Sequence, residues 1–320
     1  MKLFRSLAVS FGGALLLGVL PVTIHADFDP YQLNGGLVAG VAGRDYCVLA
    51  ADTRLTGPSG FEILQRQHTT SRLWSMLPSS LAAATQRELR QHAKQSASRI
   101  ERELDEYKEE TVDLKAVPEN ESPVWVGSVG CSTDCEELKR QLQGLIRRNL
   151  RTGELSMTQK SLPDSLAIML GQILYSRRGF PYYAFCVLAG CNANGGHVYG
   201  YDAIGSYERL AVAVSGQGRD ILQSILDRSF HSQPFEEEGG GGEGGGGEPS
   251  KHGAIRRVVR TPKQVTETAE EAKRILIDGF RAVAKREASV GDSVVVLCWR
   301  YSADGHCIQP SITFASLPEN

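Results

Sequence analysis

The feature that most restricts this 320-residue chain is the stretch from Asn34 to Gly57, NGGLVAGVAGRDYCVLAADTRLTG. Two apolar runs, Leu37 to Ala42 and Tyr46 to Ala51, flank the short turn Gly43-Arg44-Asp45. Apolar runs joined by a Gly/Asp turn predict a β-hairpin. Neither run alternates apolar with polar residues, so the hairpin suits a sheet covered on both faces. Asp52-Thr53-Arg54 marks the end of the second strand, and Thr56-Gly57-Pro58-Ser59-Gly60 supplies the side chains that set turn dihedrals.

The remaining elements follow from periodicity and punctuation. Phe61 to Trp74 predicts another strand pair. Residues 79–123 read as an insertion. Its first part, Leu81 to Leu114, carries Glu and Arg at helical spacings and predicts a solvated helix, with a partner-binding helix as the alternative. Val124 to Val129 predicts a strand, and Gly130-Cys131-Ser132-Thr133-Asp134-Cys135 leads into a helix from Glu136 to Leu150. Asp134 and Glu137 stand at capping-box spacing. Helices are expected at Leu162 to Tyr175, Arg219 to Phe230 and Thr266 to Lys285. Strands are expected at Ala184 to Gly190, His197 to Asp202, Ser293 to Trp299 and Ile308 to Ala315. Strands, two helices, strands, helices and final strands, in that order, match two stacked sheets between helical layers. Glu236 to Glu248 (EEEGGGGEGGGGE), within a segment at about 236–250, predicts a flexible surface loop, because so many glycines cannot repay the entropy of ordering.

Composition narrows the partners. Hydrophobic content is 41% and net charge −2, with the basic residues scattered, so there is no nucleic-acid footprint. The seven cysteines have irregular spacing and no zinc-finger pattern. They are expected to be reduced and mostly buried, with disulfides or a metal as the alternative. Ser215-Gly216-Gln217-Gly218 lacks the third glycine of a dinucleotide fingerprint. Residues 1–30 stand apart as an N-terminal extension, a propeptide or a signal-like segment. Within it, Lys2, Arg5, the apolar run Leu7 to Leu20 and Ile24-His25-Ala26 have the shape of a secretory signal. That run is short for a membrane span.

The Asn34 to Gly57 segment resembles the opening hairpin of proteasome beta subunits, members of the N-terminal nucleophile hydrolase superfamily. The resemblance covers about Tyr31 to Arg300, leaving out the insertion and the glycine loop. It implies an α+β fold, a four-layer αββα sandwich of two stacked, mainly antiparallel sheets flanked by helices, formed as one domain over 31–315. Active members are cut after a glycine, and the exposed N-terminal threonine attacks with its own α-amine as base. Counted back from Asp52, which matches the Asp of the family's A-D-[ST]-R motif, the nucleophile position falls on Gly36, which has no hydroxyl. The family's catalytic lysine has no counterpart, since no lysine lies between Lys2 and Lys94, and Arg66 and Arg72 are the nearest cations. An arginine stays protonated and cannot tune proton transfer as a lysine does. Gly130 matches the oxyanion-donor glycine. Gln217 stands at the position of a serine that helps hold the amine, with a possible slip of one. In the family's R-D-x-x-S-G element the Asp is replaced by Glu287 and the Ser by Val290.

The string Ile173 to Tyr183, ILYSRRGFPYY, resembles a non-catalytic member that occupies one fixed position of the ring, and Ile204-Gly205-Ser206-Tyr207 agrees. Tyr and Arg at such density suit an interface, so Tyr175, Arg177, Arg178, Phe180, Tyr182 and Tyr183 are the expected contact residues. A simple loop before the next strand is the alternative. The resemblance implies a non-catalytic structural subunit that completes the beta ring and chamber wall, in cytoplasm and nucleus. Its partners would be other proteasome alpha and beta subunits, with no cofactor, metal, nucleic acid or membrane. Two alternatives remain. One is a secreted relative, resting on Met1 to Ala26 and on the acceptor sequon Asn120-Glu121-Ser122. The other is a hydrolase with a different nucleophile, although Thr53 is not N-terminal, Ser215 lacks an evident His–Asp pair and no G-x-S-x-G elbow exists.

Overall fold

The structure, a computed structural model, describes residues 32–60, 62–65, 72–77, 80–99, 109–114, 123–156, 161–192, 194–230, 232–234, 263–301 and 307–318. The expected signal-like segment, the sequon at Asn120 and the glycine-rich loop lie outside them.

The chain opens with β1 (Leu37–Ala42) and β2 (Tyr46–Asp52), followed by the short strands β3 (Leu55–Thr56), β4 (Ile63–Gln65) and β5 (Leu73–Ser75). Helix α1 (Ser80–Arg99) and strand β6 (Glu109–Asp113) come next, then β7 (Val124–Gly130), α2 (Ser132–Thr152) and α3 (Leu162–Ser176). Strands β8 (Ala184–Asn192), β9 (Gly195–Tyr201), β10 (Tyr207–Leu210) and β11 (Val212–Gly216) lead to α4 (Arg219–Ser229). The chain closes with β12 (Ser232–Pro234), β13 (Lys263–Val265), α5 (Ala269–Ala284), β14 (Ser293–Tyr301) and β15 (Cys307–Ser316).

One sheet has the order β11-β1-β2-β14-β15-β6 and the other β10-β9-β8-β7-β5, antiparallel throughout. The unbroken apolar strands are explained by what covers them. In β2, Tyr46, Val48 and Ala50 face helices α4 and α5, while Cys47, Leu49 and Ala51 face the second sheet. In β8, Val187, Ala189 and Cys191 return that contact, while Cys186 and Leu188 face α2 and α3. Three apolar layers therefore separate four structural layers, the αββα sandwich. Burying one Leu, Val or Phe side chain contributes roughly 1.5–3 kcal/mol, and α5 alone contributes Leu276, Ile277, Phe280 and Val283. Six cysteines (Cys47, Cys131, Cys135, Cys186, Cys191 and Cys298) are buried thiols.

Four expectations need correction. The two strands described in this range, β4 and β5, do not pair with each other: β4 pairs with β3, and β5 joins the second sheet beside β7. The difference follows burial, because Leu73 and Trp74 are in the core while the β4 side chains are exposed. The helix expected through Leu114 does not extend that far: α1 is described over Ser80–Arg99, and Glu109–Asp113 is a strand that extends the first sheet along β15. Its β-branched Thr111 and Val112 suit that edge position, and Val112 packs against the core between the sheets. Nor is α1 wholly solvated: Leu89 is buried among Trp125, Trp299 and Phe314, and the His92 ring stacks on Phe314 at 3.6 Å. Finally, Asp134 does not cap α2, which begins at Ser132. Its carboxylate accepts from Tyr183 N at 2.8 Å, and Glu137 pairs with Arg140. The capping box is on α5, where Thr268 and Glu271 exchange side-chain-to-backbone hydrogen bonds.

Helix α1 and strand β6 thus contribute side chains to the core. Leu89→Ala is expected to destabilise the protein by about 2–5 kcal/mol, the cost of truncating a buried leucine into a cavity. Chemical denaturation checks it, and a loss under about 0.5 kcal/mol, typical of a surface site, would return α1 to the surface.

Candidate functional site

The candidate site lies where β1 begins, between the end of β2 and the first turn of α2. Residues Asn34 to Gly36 are buried here and every carbonyl among them is held. Thr56 N donates to Asn34 O at 3.2 Å, Arg72 Nη1 to Gly35 O at 3.1 Å and Gln217 N to Gly36 O at 2.9 Å. Asn34 also spans the site with its side chain. Its Nδ2 donates to Thr56 O at 3.1 Å and its Oδ1 accepts from Ser132 N at 2.8 Å, while its backbone N donates to Gly130 O at 2.8 Å. The segment ahead of Gly36 is therefore built into the fold through four elements.

Gly36 has φ 95°, a region side chains with a Cβ rarely occupy. A methyl group at this position would fall on the Arg72 guanidinium. The space that the side chain of residue 36 would need is thus filled by a cation from the strand-entry residue Arg72. Its Nε lies 3.5 Å from Asp52 Oδ1, and its Nη2 donates to the carbonyls of Asn34 and Arg54. Arg72 is thus the cation that stands beside Asp52.

Asp52 is fully enclosed. Leu37 N donates to Oδ1 at 2.9 Å, and Arg54 N and Gly291 N donate to Oδ2 at 3.3 and 3.4 Å. Burial pushes its carboxyl above the ordinary carboxylate range, and the Arg72 guanidinium and the three N–H groups pull the other way. Strand ends fix this geometry: β1 brings Leu37, β2 ends at Asp52, and the loop before β14 brings Gly291.

The other expected positions surround the same point with different roles. Gly130 has φ 120°, and a Cβ there would clash with the Tyr183 carbonyl, so glycine is required by local packing. The Gln217 side chain is exposed, and only its backbone N reaches Gly36. Glu287 accepts from Ser289 Oγ at 2.8 Å, and Val290 is in the core under α5. Sequence reasoning missed Asn34 and a second buried ion pair. Arg54 Nε and Nη2 both lie 3.0 Å from Asp292 Oδ1, and Nη1 donates to Ala288 O at 2.9 Å. Asp292 takes φ 66°, tolerated by Asp more than by most residues. The only signal was an Arg and an Asp bracketing matched motifs, which does not specify a pairing. Arg66 lies outside the described residues.

The expected contact residues divide. Tyr175 is 54% and Phe180 66% exposed, and the Arg178 guanidinium stacks over the Tyr175 ring at 4.5 Å. Arg177 and Arg178 are exposed. Tyr182 is not a surface residue. After Pro181 the chain turns inward, placing the Tyr182 ring in the core beneath α2 and α3 with Arg177 at 5.6 Å over it. Tyr183 is partly exposed and packs edge-on against Phe185.

Chemically, the arrangement presents a buried carboxylate and a fixed guanidinium, with no hydroxyl or thiol on residue 36. A family model described as proteasome subunit matches residues 120–239. The proteasome subunit beta type-1 of Arabidopsis thaliana is 32% identical over 209 residues, 65% of this chain and 70% of that protein. Its namesake in Petunia hybrida is 31% identical over the same shares. That of Drosophila melanogaster is 27% identical over 278 residues, 87% of each chain.

Because a side chain at residue 36 and the Arg72 guanidinium claim one volume, their substitutions should be coupled. Gly36→Ala and Arg72→Ala should each destabilise the protein, the second by about 3–5 kcal/mol because it leaves Asp52 buried without its ion-pair partner. The double variant should lose less than the sum of the two. Strict additivity in a denaturation cycle would show that the guanidinium does not occupy the position in solution.

Proposed function

The chain belongs to the proteasome subunit family, and from that footing we propose that it is a non-catalytic beta subunit of the core proteasome. Its work is structural: it completes the beta ring and forms part of the chamber wall beside other alpha and beta subunits, in cytoplasm and nucleus. The beta type-1 names of its relatives support this place in the particle.

The observation that carries the non-catalytic reading is Arg72. Nucleophilic catalysis by this family's chemistry needs a hydroxyl at residue 36 and a free amine on the same residue. Here the residue is glycine, its side-chain volume holds a guanidinium, and the preceding Asn34-Gly35 segment is hydrogen-bonded into four elements. Asp52 keeps a structural task, joining β1, β2 and the β14 entry, and Gly130 keeps a packing task. The domain is taken as 31–315, with 79–123 as an insertion and 236–250 as a surface loop.

The direct test is purification of the intact particle through a tag on this chain. The chain should co-migrate with the other subunits, its Gly35–Gly36 bond should be intact by mass spectrometry, and it should take no label from a threonine-directed acylating probe that labels active subunits. Labelling of this chain, or its migration as a free small species, would refute the reading.

The contact surface is placed on Tyr175, Arg177, Arg178, Phe180 and Tyr183, with Tyr182 supporting Arg177 from the core. Aromatic and Arg side chains dominate interface energetics. Tyr175→Glu with Phe180→Glu should leave the isolated chain's melting temperature within a few degrees and strongly reduce its recovery in the particle. Normal recovery would move the interface elsewhere.

A further inference from the structure

Asn34 and Gly35 are each fixed by a separate need of the folded site. Residue 34 must donate on one side and accept on the other: its Nδ2 donates to Thr56 O at 3.1 Å, and its Oδ1 accepts from Ser132 N at 2.8 Å. A primary amide carries both functions on one short side chain, whereas a carboxylate only accepts. Residue 35 has φ 65°, and a Cβ there would lie 2.6 Å from Thr56 Oγ1 and 3.1 Å from the Ser289 carbonyl oxygen, so the position calls for glycine. Together these demands set an Asn-Gly pair immediately before Gly36.

Such a pair has a chemistry of its own. With no side chain on the second residue to obstruct it, the Gly35 nitrogen can attack Cγ of Asn34. The new N–Cγ bond closes a five-membered succinimide. The Cγ–Nδ2 bond breaks, and the amide nitrogen leaves as ammonia with the proton from Gly35 N. Water then opens the ring. Opening at Cγ gives aspartate. Opening at the main-chain carbonyl gives isoaspartate, in which the chain runs through the former side chain and is longer by a methylene. The net change is loss of ammonia and gain of water. The folded protein blocks the first step. Asn34 is 7% exposed, and the two ends of its amide are tied to β3 and α2, so Cγ reaches Gly35 N only if both bonds break. The neighbouring carbonyls are tied as well, Gly35 O by Arg72 and Gly36 O by Gln217 N. Unfolding removes all of these restraints.

We propose that Asn34 is a modification site open only in the unfolded chain, where spontaneous deamidation through Gly35 removes the side chain that the folded centre needs. Aspartate would keep the bond from Ser132 N. It would also set an acceptor oxygen against Thr56 O and leave a charge in a buried position, and both are costly. Isoaspartate would lengthen the main chain between Asn34 N, which is held by Gly130 O, and Gly35 O, which is held by Arg72. Either product works against closure of the network around Arg72 and Asp52. Time spent unfolded is thereby recorded at residue 34 and hinders later folding.

Peptide mass spectrometry of the full chain tests this, with the protein incubated at mildly alkaline pH in its native assembly and in urea. Conversion of Asn34 is read as the mass gain from amide to carboxylate and as methyl acceptance by isoaspartate. It should be slower in the native protein on the order of tenfold or more, because it proceeds only from locally opened molecules. In urea the second Asn-Gly pair, Asn194–Gly195, should convert alongside Asn34. Asn34→Asp should lower recovery of the folded chain several-fold, as loss of stability lowers abundance. Equal rates at Asn34 in the two states overturn the proposal, as does an unchanged Asn34 in urea while Asn194 converts. Recovery of Asn34→Asp at the parent level overturns it too, because the modification would then leave folding unaffected.

Discussion

The Asp52–Arg72 contact organises the centre of this protein. A carboxylate with no exposure needs compensation on every side, because an isolated buried charge is costly. Asp52 obtains it from Leu37 N, Arg54 N, Gly291 N and Arg72 Nε. Those partners come from the start of β1, the end of β2, the entry to β14 and the entry to β5. One side chain therefore sets the relative positions of the middle strands of one sheet and an outer strand of the other. Arg72 extends the network by holding the carbonyls of Asn34, Gly35 and Arg54. A lysine has one ammonium and could not serve three carbonyls and a carboxylate with a planar fork. The same guanidinium that stabilises the centre also fills the volume that a side chain at residue 36 would need. Structural support of the centre and occupation of that volume are one feature.

The outer parts of the molecule depend on this frame in different degrees. Helices α4 and α5 are attached by a broad apolar layer that includes Leu222, Leu226, Phe280 and Val283. On the opposite side α2 and α3 bury Leu138, Leu142, Leu166 and Leu170. The described residues between β5 and β7 add a third attachment, since Leu89 and Leu114 enter the layer between the sheets and β6 lengthens one sheet. The acidic edge of β6, with Glu109 paired to Arg281, is the kind of charged border that keeps an outer strand from pairing with another chain.

Much of the fold was legible because its strands are buried on both faces. Runs such as LVAGVA and YCVLAAD have too little polar alternation for a surface strand, and α5 has a clear apolar stripe. The expectations that failed share a cause: charge and local spacing describe a segment's neighbours in sequence, and burial by distant residues overrode them. Thr111 and Val112 sit in a run of acids and look helical until β15 offers a paired edge. Asp134 has capping spacing, yet Tyr183 N claims its carboxylate. Tyr182 and Tyr183 are adjacent and chemically alike, and only the turn after Pro181 sends one into the core and leaves the other partly exposed.

At the site, the sequence by itself determined what residue 36 lacks. A glycine has no nucleophile wherever it is placed, and a chain with no lysine between Lys2 and Lys94 cannot set one beside Asp52 from that region. The tertiary structure alone decided what replaces them. Arg72, Asn34 and the Arg54–Asp292 pair converge from positions as much as 238 residues apart. No local pattern encodes those meetings, because they follow from strand order and register. Side-chain identity excludes a chemistry, whereas the placement of a compensating charge depends on which buried group the folded chain leaves in need of a partner.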